Sequence, residues 1–103
     1  MVKKKKPELS AVQANRVVPR FSPQFREDLK WWGKTNAKQW NRLWDLIESI
    51  IEDPFSGIGK PEPLKLIGPN IWSRRINLEH RLVYRVEQDC ILFLQARYHY
   101  ASK

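Results

Sequence analysis

Three β-prone runs occupy residues 72–100, and the links between them are only two residues long. The runs are Trp72–Asn77, His80–Glu87 and Cys90–Tyr100, and the links are Leu78-Glu79 and Gln88-Asp89. Links this short leave consecutive strands no arrangement except antiparallel pairing, because a parallel connection needs about a dozen residues or more. The sequence therefore predicts a β-meander in the second half of the chain.

Two amphipathic helices are predicted before the meander. The first starts at Ser22-Pro23, where a hydroxyl cap precedes a proline in the first turn, and its predicted end is Gly33. The second is capped by Asn36 and stops before Pro54. The apolar residues at helical spacing are Phe25, Leu29 and Trp32 in the first helix and Trp40, Leu43, Trp44, Ile47, Ile50 and Ile51 in the second. Tryptophans on such a stripe usually belong to the core, so we interpret them as core and not as a base-stacking platform.

The remaining segments complete a single α+β domain. Val17–Phe21 is a short β-prone run that Pro19 interrupts, which predicts an edge strand. Residues 55–70 are rich in Gly and Pro and are predicted to form a loop. The expected architecture is an N-terminal strand and two helices packed on one face of an antiparallel β-sheet. This domain spans residues 17–100, between a flexible basic N-terminal extension at 1–16 and a short C-terminal extension at 101–103.

The chain is strongly basic, with a formal net charge of +8 from 19 Lys and Arg residues against 11 Asp and Glu residues. The run Lys3–Lys6 supplies four of these positive charges, so the rest of the chain remains positive without it. Such a surplus predicts a polyanionic partner, either nucleic acid or an acidic protein, and does not choose between the two.

The sequence also excludes several classes of protein. No apolar stretch is long enough for a membrane span and the basic start lacks the apolar region of a signal peptide, so we expect no membrane association and a cytoplasmic location. The single cysteine, Cys90, cannot form an internal disulfide and lies in an apolar run, which favours a buried small hydrophobe over a nucleophile. With only two histidines and no acidic cluster at metal-ligand spacing, no metal site and no cofactor are predicted.

Basic and aromatic residues are interleaved in the second half of the chain, namely Lys60, Lys65, Arg74, Arg75, Arg81, Arg85, Arg97, His99 and Tyr100. Alternation along the second β-prone run places Leu82 on the face toward the helices and Arg81 and Arg85 on the open face. Arg74 and Arg75 are neighbours on one strand, so at most one of them belongs to an open-face site. Taken singly, each arginine is more often part of a solvated charged surface.

Glu62 is the acidic exception in this basic region. It lies between Pro61 and Pro63, and the second proline favours extended backbone at the glutamate. Lys60 and Lys65 flank the segment, so the carboxylate projects from a stiffened loop into positive surroundings. The functional interpretation is a proton-transfer group beside a phosphate site. The alternative is a loop glutamate in a surface ion pair of little energetic value.

Four blocks of residues resemble the YoeB toxins, the Txe/YoeB family of the RelE-like superfamily. They are GKPEPLK at 59–65, WSRRI at 72–76, EHRLVY at 79–84 and ARYHY at 96–100, in family order and at family-like spacing. The resemblance extends over about residues 17–100. It implies a RelE-like fold and the function of a type II toxin that cleaves mRNA in the A site of the 70S ribosome and so inhibits translation. It also implies a cognate, YefM-like antitoxin, promoter DNA bound by the toxin–antitoxin complex, and a homodimer or a toxin–antitoxin heterocomplex.

Carried over residue by residue, the resemblance assigns four catalytic candidates. Glu62 matches the family's proposed general base, Arg81 its phosphate and transition-state binder, and His99 its proposed general acid. Tyr100 matches the terminal aromatic residue that orients the substrate. The set suits metal-free RNA cleavage, in which a base takes the proton of the attacking 2′-hydroxyl and an acid protonates the departing 5′-oxygen. Because nearby cations favour the ionised carboxylate, Glu62 is expected to be a weak base, with charge stabilisation and positioning supplying most of the rate.

Basic residues complete the predicted site. Lys65 and Arg75 match residues that line the family's site, and the full predicted RNA- and phosphate-binding set is Lys60, Lys65, Arg75 and Arg97. His80 falls inside a matching block but has no catalytic role to inherit, so we interpret it as structural.

Two alternatives to an enzyme remain at this stage. The first is a binding module that keeps the basic sheet for contact with RNA, ribosome or promoter but does not cut. Such a module has no use for a carboxylate that repels phosphate, so the joint presence of Glu62, Arg81, His99 and Tyr100 favours the enzyme. The second is a basic scaffold for an acidic protein, which would hold in part for an antitoxin that covers this surface.

Overall fold

The computed structural model describes residues 17–98 and arranges them as one strand, two helices and four further strands. In chain order the elements are β1 (Val18–Phe21), α1 (Pro23–Thr35), α2 (Ala37–Glu52), β2 (Glu62–Pro63), β3 (Ile71–Arg75), β4 (Arg81–Val86) and β5 (Cys90–Gln95). The predicted extensions at 1–16 and 101–103 lie outside the described residues, as do His99 and Tyr100. The predicted order of a strand, two helices and a meander is confirmed.

Both helices begin where the sequence predicts. Ser22 Oγ accepts a hydrogen bond from the Phe25 N–H at 3.0 Å, which caps α1. Asn36 serves both helices, because its backbone N–H donates to the Trp32 carbonyl at the end of α1 and its side chain accepts from the Gln39 N–H at the start of α2. A single residue therefore separates the two helices.

The predicted end of α1 at Gly33 was wrong, because the helix continues to Thr35. A Cβ atom at Gly33 would lie 3.4 Å from ring atoms of Trp40 on α2. This distance is an ordinary van der Waals contact. Gly33 therefore lies against Trp40 within α1 and does not end the helix.

The five strands form one mixed sheet in the order β1-β5-β4-β3-β2. The pairs β2–β3, β3–β4 and β4–β5 are antiparallel, which confirms the meander, and β1 lies at an edge as predicted. The sheet is not wholly antiparallel, because β1 runs parallel to β5, with Val18 opposite Cys90 and Phe21 opposite Phe93. The chain passes through both helices between these strands, which is connection enough for a parallel pair.

Two segments differ from the prediction. β2 lies inside the stretch predicted as loop and pairs with β3 at the second edge of the sheet. β5 ends at Gln95, although the β-prone run continues to Tyr100, because Ala96 forms hydrogen bonds with side chains of α1. Both departures lie next to candidate site residues.

The core lies between the helices and one face of the sheet. Its buried cluster includes Phe25, Leu29, Trp32, Leu43, Ile47, Ile50, Leu82, Tyr84, Ile91 and Phe93. Trp40 and Trp44 are partly exposed but pack against this cluster, so the interpretation of the helical stripe as core is confirmed. Leu82 is fully buried against the helices, which confirms the predicted alternation of β4. Within residues 17–98, neither helix is long and apolar enough to cross a membrane.

Cys90 opens β5 and is buried, as the sequence predicts. Burial raises the pKa of its thiol, and the nearby Glu87 carboxylate raises that pKa further. Because the thiolate is the reactive form, we expect the folded protein to react with a disulfide reagent such as DTNB far more slowly than the same protein unfolded in guanidinium chloride. Equal labelling rates in the two states would show that the thiol is accessible in the fold.

Candidate functional site

Glu62 and Arg81 form an ion pair on the open face of the sheet, away from the helices. Glu62 lies opposite Ser73 in the β2–β3 ladder and Arg81 lies opposite Arg75 in the β3–β4 ladder, so alternation puts all four on one face. Arg81 Nη2 donates to Glu62 Oε1 at 3.0 Å. The Arg81 side chain is 11% exposed and the Glu62 side chain 53% exposed, so the cation lies deeper than its partner. The two catalytic candidates that the structure describes are therefore in direct contact.

The hydrogen-bonding capacity of the Arg81 guanidinium is only partly satisfied within the described residues. Nη1 is buried and has no hydrogen-bond partner among the described residues, and the same is true of Ser73 Oγ opposite Glu62. A buried donor without an acceptor costs about 1–3 kcal/mol. A phosphate oxygen would remove that cost by forming a charge-assisted hydrogen bond. The site therefore favours an anionic ligand at Arg81.

Arg75 adds a second positive charge at the same place. It lies directly opposite Arg81, and like charges in such a cross-strand pair repel each other. Its side chain forms no ion pair with any residue between 17 and 98. Both polar groups of its backbone form hydrogen bonds. Its N–H donates to the Gly59 carbonyl at 2.7 Å, and its carbonyl accepts from Arg42 Nη2 at 3.1 Å. Two arginines and one glutamate leave a positive surplus for a polyanion.

The two predicted lysines flank Glu62 on either side of β2. Lys60 is exposed and has a φ of 53°, in the left-handed region, directly after Gly59 with a φ of 84°. A Cβ atom at Gly59 would lie 2.7 Å from Leu46 Cδ2, so glycine lets the loop pass this close to α2. Lys65 is also exposed. Both lysines add to the positive charge around the Glu62 carboxylate.

The side chains of Arg74 and Arg75 lie on opposite faces of the sheet, as predicted for neighbours on a strand. Arg74 is fully buried on the face that packs against the helices. A guanidinium has five N–H groups, and all five have acceptors here. The acceptors, at 2.6–3.2 Å, are Tyr84 Oη, Ser49 Oγ and the carbonyl oxygens of Asp53, Ser56 and Ile58. Asp53 is the C-cap of α2, so the charge also lies at the negative end of the helix dipole. Arg74 thus fixes the start of the loop that leads to Glu62, a role that the sequence did not reveal.

Arg97 lies in a different environment from the other predicted RNA-binding residues. Its Cζ lies 3.7 Å from the centroid of the Trp31 ring and 4.8 Å from that of the Tyr98 ring. Its Nη2 donates to Tyr98 Oη at 2.8 Å. The structure thus attaches Arg97 to α1 and to Tyr98, and within the described residues gives it no bond to Glu62 or Arg81.

His99 and Tyr100 lie outside the described residues, so their roles stay predictions. The described chain ends at Tyr98, whose carbonyl accepts from the Arg81 N–H at 3.1 Å. The Tyr98 N–H donates to Nδ1 of the buried His80 at 2.7 Å, which agrees with a structural role for this histidine. The described chain therefore reaches the Arg81 end of β4 immediately before the two remaining candidates.

The assembled groups suit reactions at a phosphate. The Glu62 carboxylate can accept a proton, while Arg75 and Arg81 can bind the nonbridging oxygens of a phosphate on the same face. Within residues 17–98, no three His, Cys, Asp or Glu side chains are grouped so that they could hold a metal ion.

Known proteins match almost the whole described region. The family profile described as YoeB-like toxin of bacterial type II toxin-antitoxin system matches residues 21–100. Toxin YoeB of Mycobacterium bovis is 51% identical over 80 residues, which cover 78% of this chain and 94% of that protein. The solved YoeB dimer of Staphylococcus aureus is 42% identical, with a TM-score of 0.75 over 82% of this chain and 99% of that chain. The YoeB–YefM complex of the same organism gives a TM-score of 0.71 at 42% identity and the same coverage.

The family match spans both helices, the strands β2 to β5 and the positions of Glu62 and Arg81. The RelE-like fold implied by the four sequence blocks is therefore present. This chain belongs to the YoeB-like toxin family of bacterial type II toxin–antitoxin systems.

Proposed function

We propose that this toxin is a ribosome-dependent endoribonuclease that cleaves mRNA in the ribosomal A site without a metal ion and so inhibits translation. The observation that carries the proposal is the contact between Glu62 and Arg81. In that contact, a carboxylate able to take a proton touches an arginine whose second terminal nitrogen is buried and has no acceptor among the described residues.

In the proposed reaction, the 2′-hydroxyl of one nucleotide loses its proton to Glu62 and attacks the adjacent phosphorus. The bond from phosphorus to the 5′-oxygen of the next nucleotide breaks, and His99 donates a proton to that oxygen. Arg81 and Arg75 bind the nonbridging oxygens, where negative charge grows in the transition state. Tyr100 orients the substrate. The products are a 2′,3′-cyclic phosphate and a 5′-hydroxyl.

Charge stabilisation and alignment supply most of the rate in this proposal. Glu62 Oε1 already accepts a hydrogen bond from Arg81, so the carboxylate must share that oxygen or use the other one for the 2′-hydroxyl proton. Proton transfer to such a group gives a modest gain, whereas alignment of the attacking oxygen with the phosphorus gives a larger one. The ribosome would provide this alignment by presenting the mRNA in a fixed pose.

We also propose a YefM-like antitoxin and a homodimer as protein partners. The relatives from Staphylococcus aureus are a YoeB–YefM complex and a YoeB dimer. The positive surplus around Arg75 and Arg81 suits an acidic antitoxin segment, which would neutralise the toxin by covering the phosphate site. In this proposal the toxin–antitoxin complex binds its own promoter DNA.

Primer extension on a defined mRNA in a purified translation system tests the enzyme. We expect wild-type protein to cut at A-site codons only when ribosomes are present. Glu62→Gln keeps an acceptor for Arg81 but cannot take a proton, and it should slow cleavage about tenfold, less than the ~10²–10⁴-fold typical of a general base. Glu48→Gln makes the same chemical change on the exposed side of α2 and should cut like wild type.

Two outcomes would reject the proposal. Binding to ribosomes without any cleavage would leave a non-catalytic module that binds RNA, ribosome or promoter. Equally fast cleavage of free RNA would remove the ribosome from the mechanism.

A further inference from the structure

The segment that follows β5 is held at its start by side chains of α1. Asp28 Oδ2 accepts a hydrogen bond from the Ala96 N–H at 2.8 Å, and Trp32 Nε1 donates to the Ala96 carbonyl at 2.7 Å. Both hydrogen bonds are buried. Asp28 and Trp32 lie four residues apart on α1 and therefore on one face of the helix. One face of α1 thus binds both polar groups of the Ala96 backbone.

The other end of the segment, Tyr98, is held by the start of β4. Its N–H donates to His80 Nδ1 at 2.7 Å, and its carbonyl accepts from the Arg81 N–H at 3.1 Å. Its φ is 63°, in the left-handed region, where a residue with a large side chain stays only when its surroundings determine it. The second of these bonds ties Tyr98 to the backbone of the phosphate-binding candidate Arg81.

Asp28 places a charged side chain at a buried position. It is 3% exposed and is the one buried carboxylate among the described residues. Its hydrogen bonds there are with the Ala96 N–H and Gln24 Nε2, and it has no ion pair with a described cation. A buried carboxylate without a cation is costly, and an apolar side chain would fill the same space without that cost. What the carboxylate adds is a fixed direction for the Ala96 backbone.

We propose that Asp28, Trp32 and His80 are positioning residues that set where the chain leaves the sheet toward His99 and Tyr100. The inference rests on the proposed nuclease, in which these two residues act as general acid and as the substrate-orienting aromatic. A general acid works only within hydrogen-bond reach of the leaving oxygen, and a displacement of about 1 Å can cost on the order of 100-fold in rate. The three side chains act on the reaction only through Ala96 and Tyr98.

Single-turnover cleavage on ribosomes, at saturating toxin, tests this role. Asp28→Ala leaves the Ala96 N–H without its acceptor and should lower the maximal rate on the order of 100-fold. The half-saturating toxin concentration should stay unchanged, because Asp28 is buried and its substitution removes no exposed charge. Asp28→Asn keeps an oxygen that can accept from Ala96 and should restore most of the rate.

Leu29→Ala is the matched control for lost stability. Leu29 follows Asp28 on α1 and is buried in the core, so its truncation destabilises the fold without removing a bond to Ala96. At a temperature where all variants are folded, Leu29→Ala should cut like wild type. Equal slowing by Leu29→Ala and Asp28→Ala, or wild-type cleavage by Asp28→Ala, would overturn the proposal.

Amide hydrogen exchange gives a second measurement that does not depend on activity. In wild type the Ala96 and Tyr98 amides should be protected, and Asp28→Ala should expose the first of them while Leu29→Ala does not. His80→Ala should expose the Tyr98 amide to exchange and slow cleavage. His80→Asn keeps an acceptor near the position of Nδ1 and should reverse both effects. If Asp28→Ala does not fold, these two His80 variants test the proposal in its place. Unprotected amides in wild type would overturn the proposal. If the wild-type amides are protected but the protein does not cleave mRNA, the proposed nuclease activity is rejected. The anchoring of residues 96–98 would then stand without a catalytic role.

Discussion

Arg81→Ala is expected to lower the rate of ribosome-dependent mRNA cleavage by about 10²–10³-fold, the range found when one preorganised donor to a transition state is removed. Arg81 contacts Glu62 at 3.0 Å and keeps Nη1 buried without an acceptor among the described residues, so it is the group best placed for a phosphate oxygen. The rate is measured by primer extension at saturating toxin. The loss should exceed that caused by Glu62→Gln, and the reverse order would contradict the view that charge stabilisation dominates.

Two further variants separate the site from the general positive charge of the sheet. Arg85 lies on the same strand and the same open face as Arg81 but bonds to Glu87 at 2.9 Å. Arg85→Ala should therefore cut at close to the wild-type rate. Arg81→Lys keeps the charge but replaces the guanidinium fork with one ammonium, so its rate should lie between those of wild type and Arg81→Ala. If Arg81→Ala and Arg85→Ala cut equally well, Arg81 is not the phosphate-binding residue.

Arg74→Ala is expected to lower the free energy of unfolding by about 3–5 kcal/mol, because it leaves several buried acceptors without their donors. Its loss would leave five acceptors without their donor, three of them carbonyl oxygens around the C-terminal end of α2. Each buried polar group without a partner costs about 1–3 kcal/mol, and part of this is recovered where water enters. Since the free energy of unfolding of a small domain is about 5–15 kcal/mol, the variant should be only marginally stable. Urea unfolding followed by tryptophan fluorescence measures the change.

Arg75→Ala is the matched control, because the two arginines are neighbours in β3 and face opposite sides of the sheet. Arg75 forms no ion pair within residues 17–98, so its truncation should change stability by no more than about 0.5 kcal/mol. Arg74→Lys supplies three donors in place of five and should destabilise the protein, though less than alanine does. Identical urea midpoints for Arg74→Ala and Arg75→Ala would show that the buried network contributes nothing.

Local signals were enough to predict most of the elements of this fold. Caps such as Ser22 and Asn36, apolar stripes and two-residue links each act within a few positions of the chain. β2 escaped detection because a strand of two residues, one of them a proline, leaves no alternation to recognise. The parallel pair β1–β5 joins Val18 to Cys90 across the whole domain, and no local pattern specifies which strand completes that edge.

The site was predictable only in part. Glu62 could be singled out by its prolines and lysines, but its partner Arg81 lies 19 residues away and was assigned through the family resemblance. Alternation separated Arg74 from Arg75, yet the acceptors of Arg74 come from α2, from the segment that follows it and from β4, which are 10–25 residues away in sequence. In the sequence, Asp28 cannot be distinguished from the other charged residues of its helix. Its contact with Ala96 spans 68 residues and therefore leaves no local signal. Such contacts depend on how distant segments meet, which no short pattern encodes.

The buried Arg74 has a consequence for how this surface can change. Three of its acceptors are main-chain oxygens, of Asp53, Ser56 and Ile58, and a main-chain oxygen is present whatever side chain the residue carries. The loop can therefore exchange outward side chains over evolutionary time while its path stays the same. Phe55 and Ile58 already expose 53% and 44% of their surface. Recognition of different macromolecules can diversify here without disturbing the chemistry a few residues further along the chain.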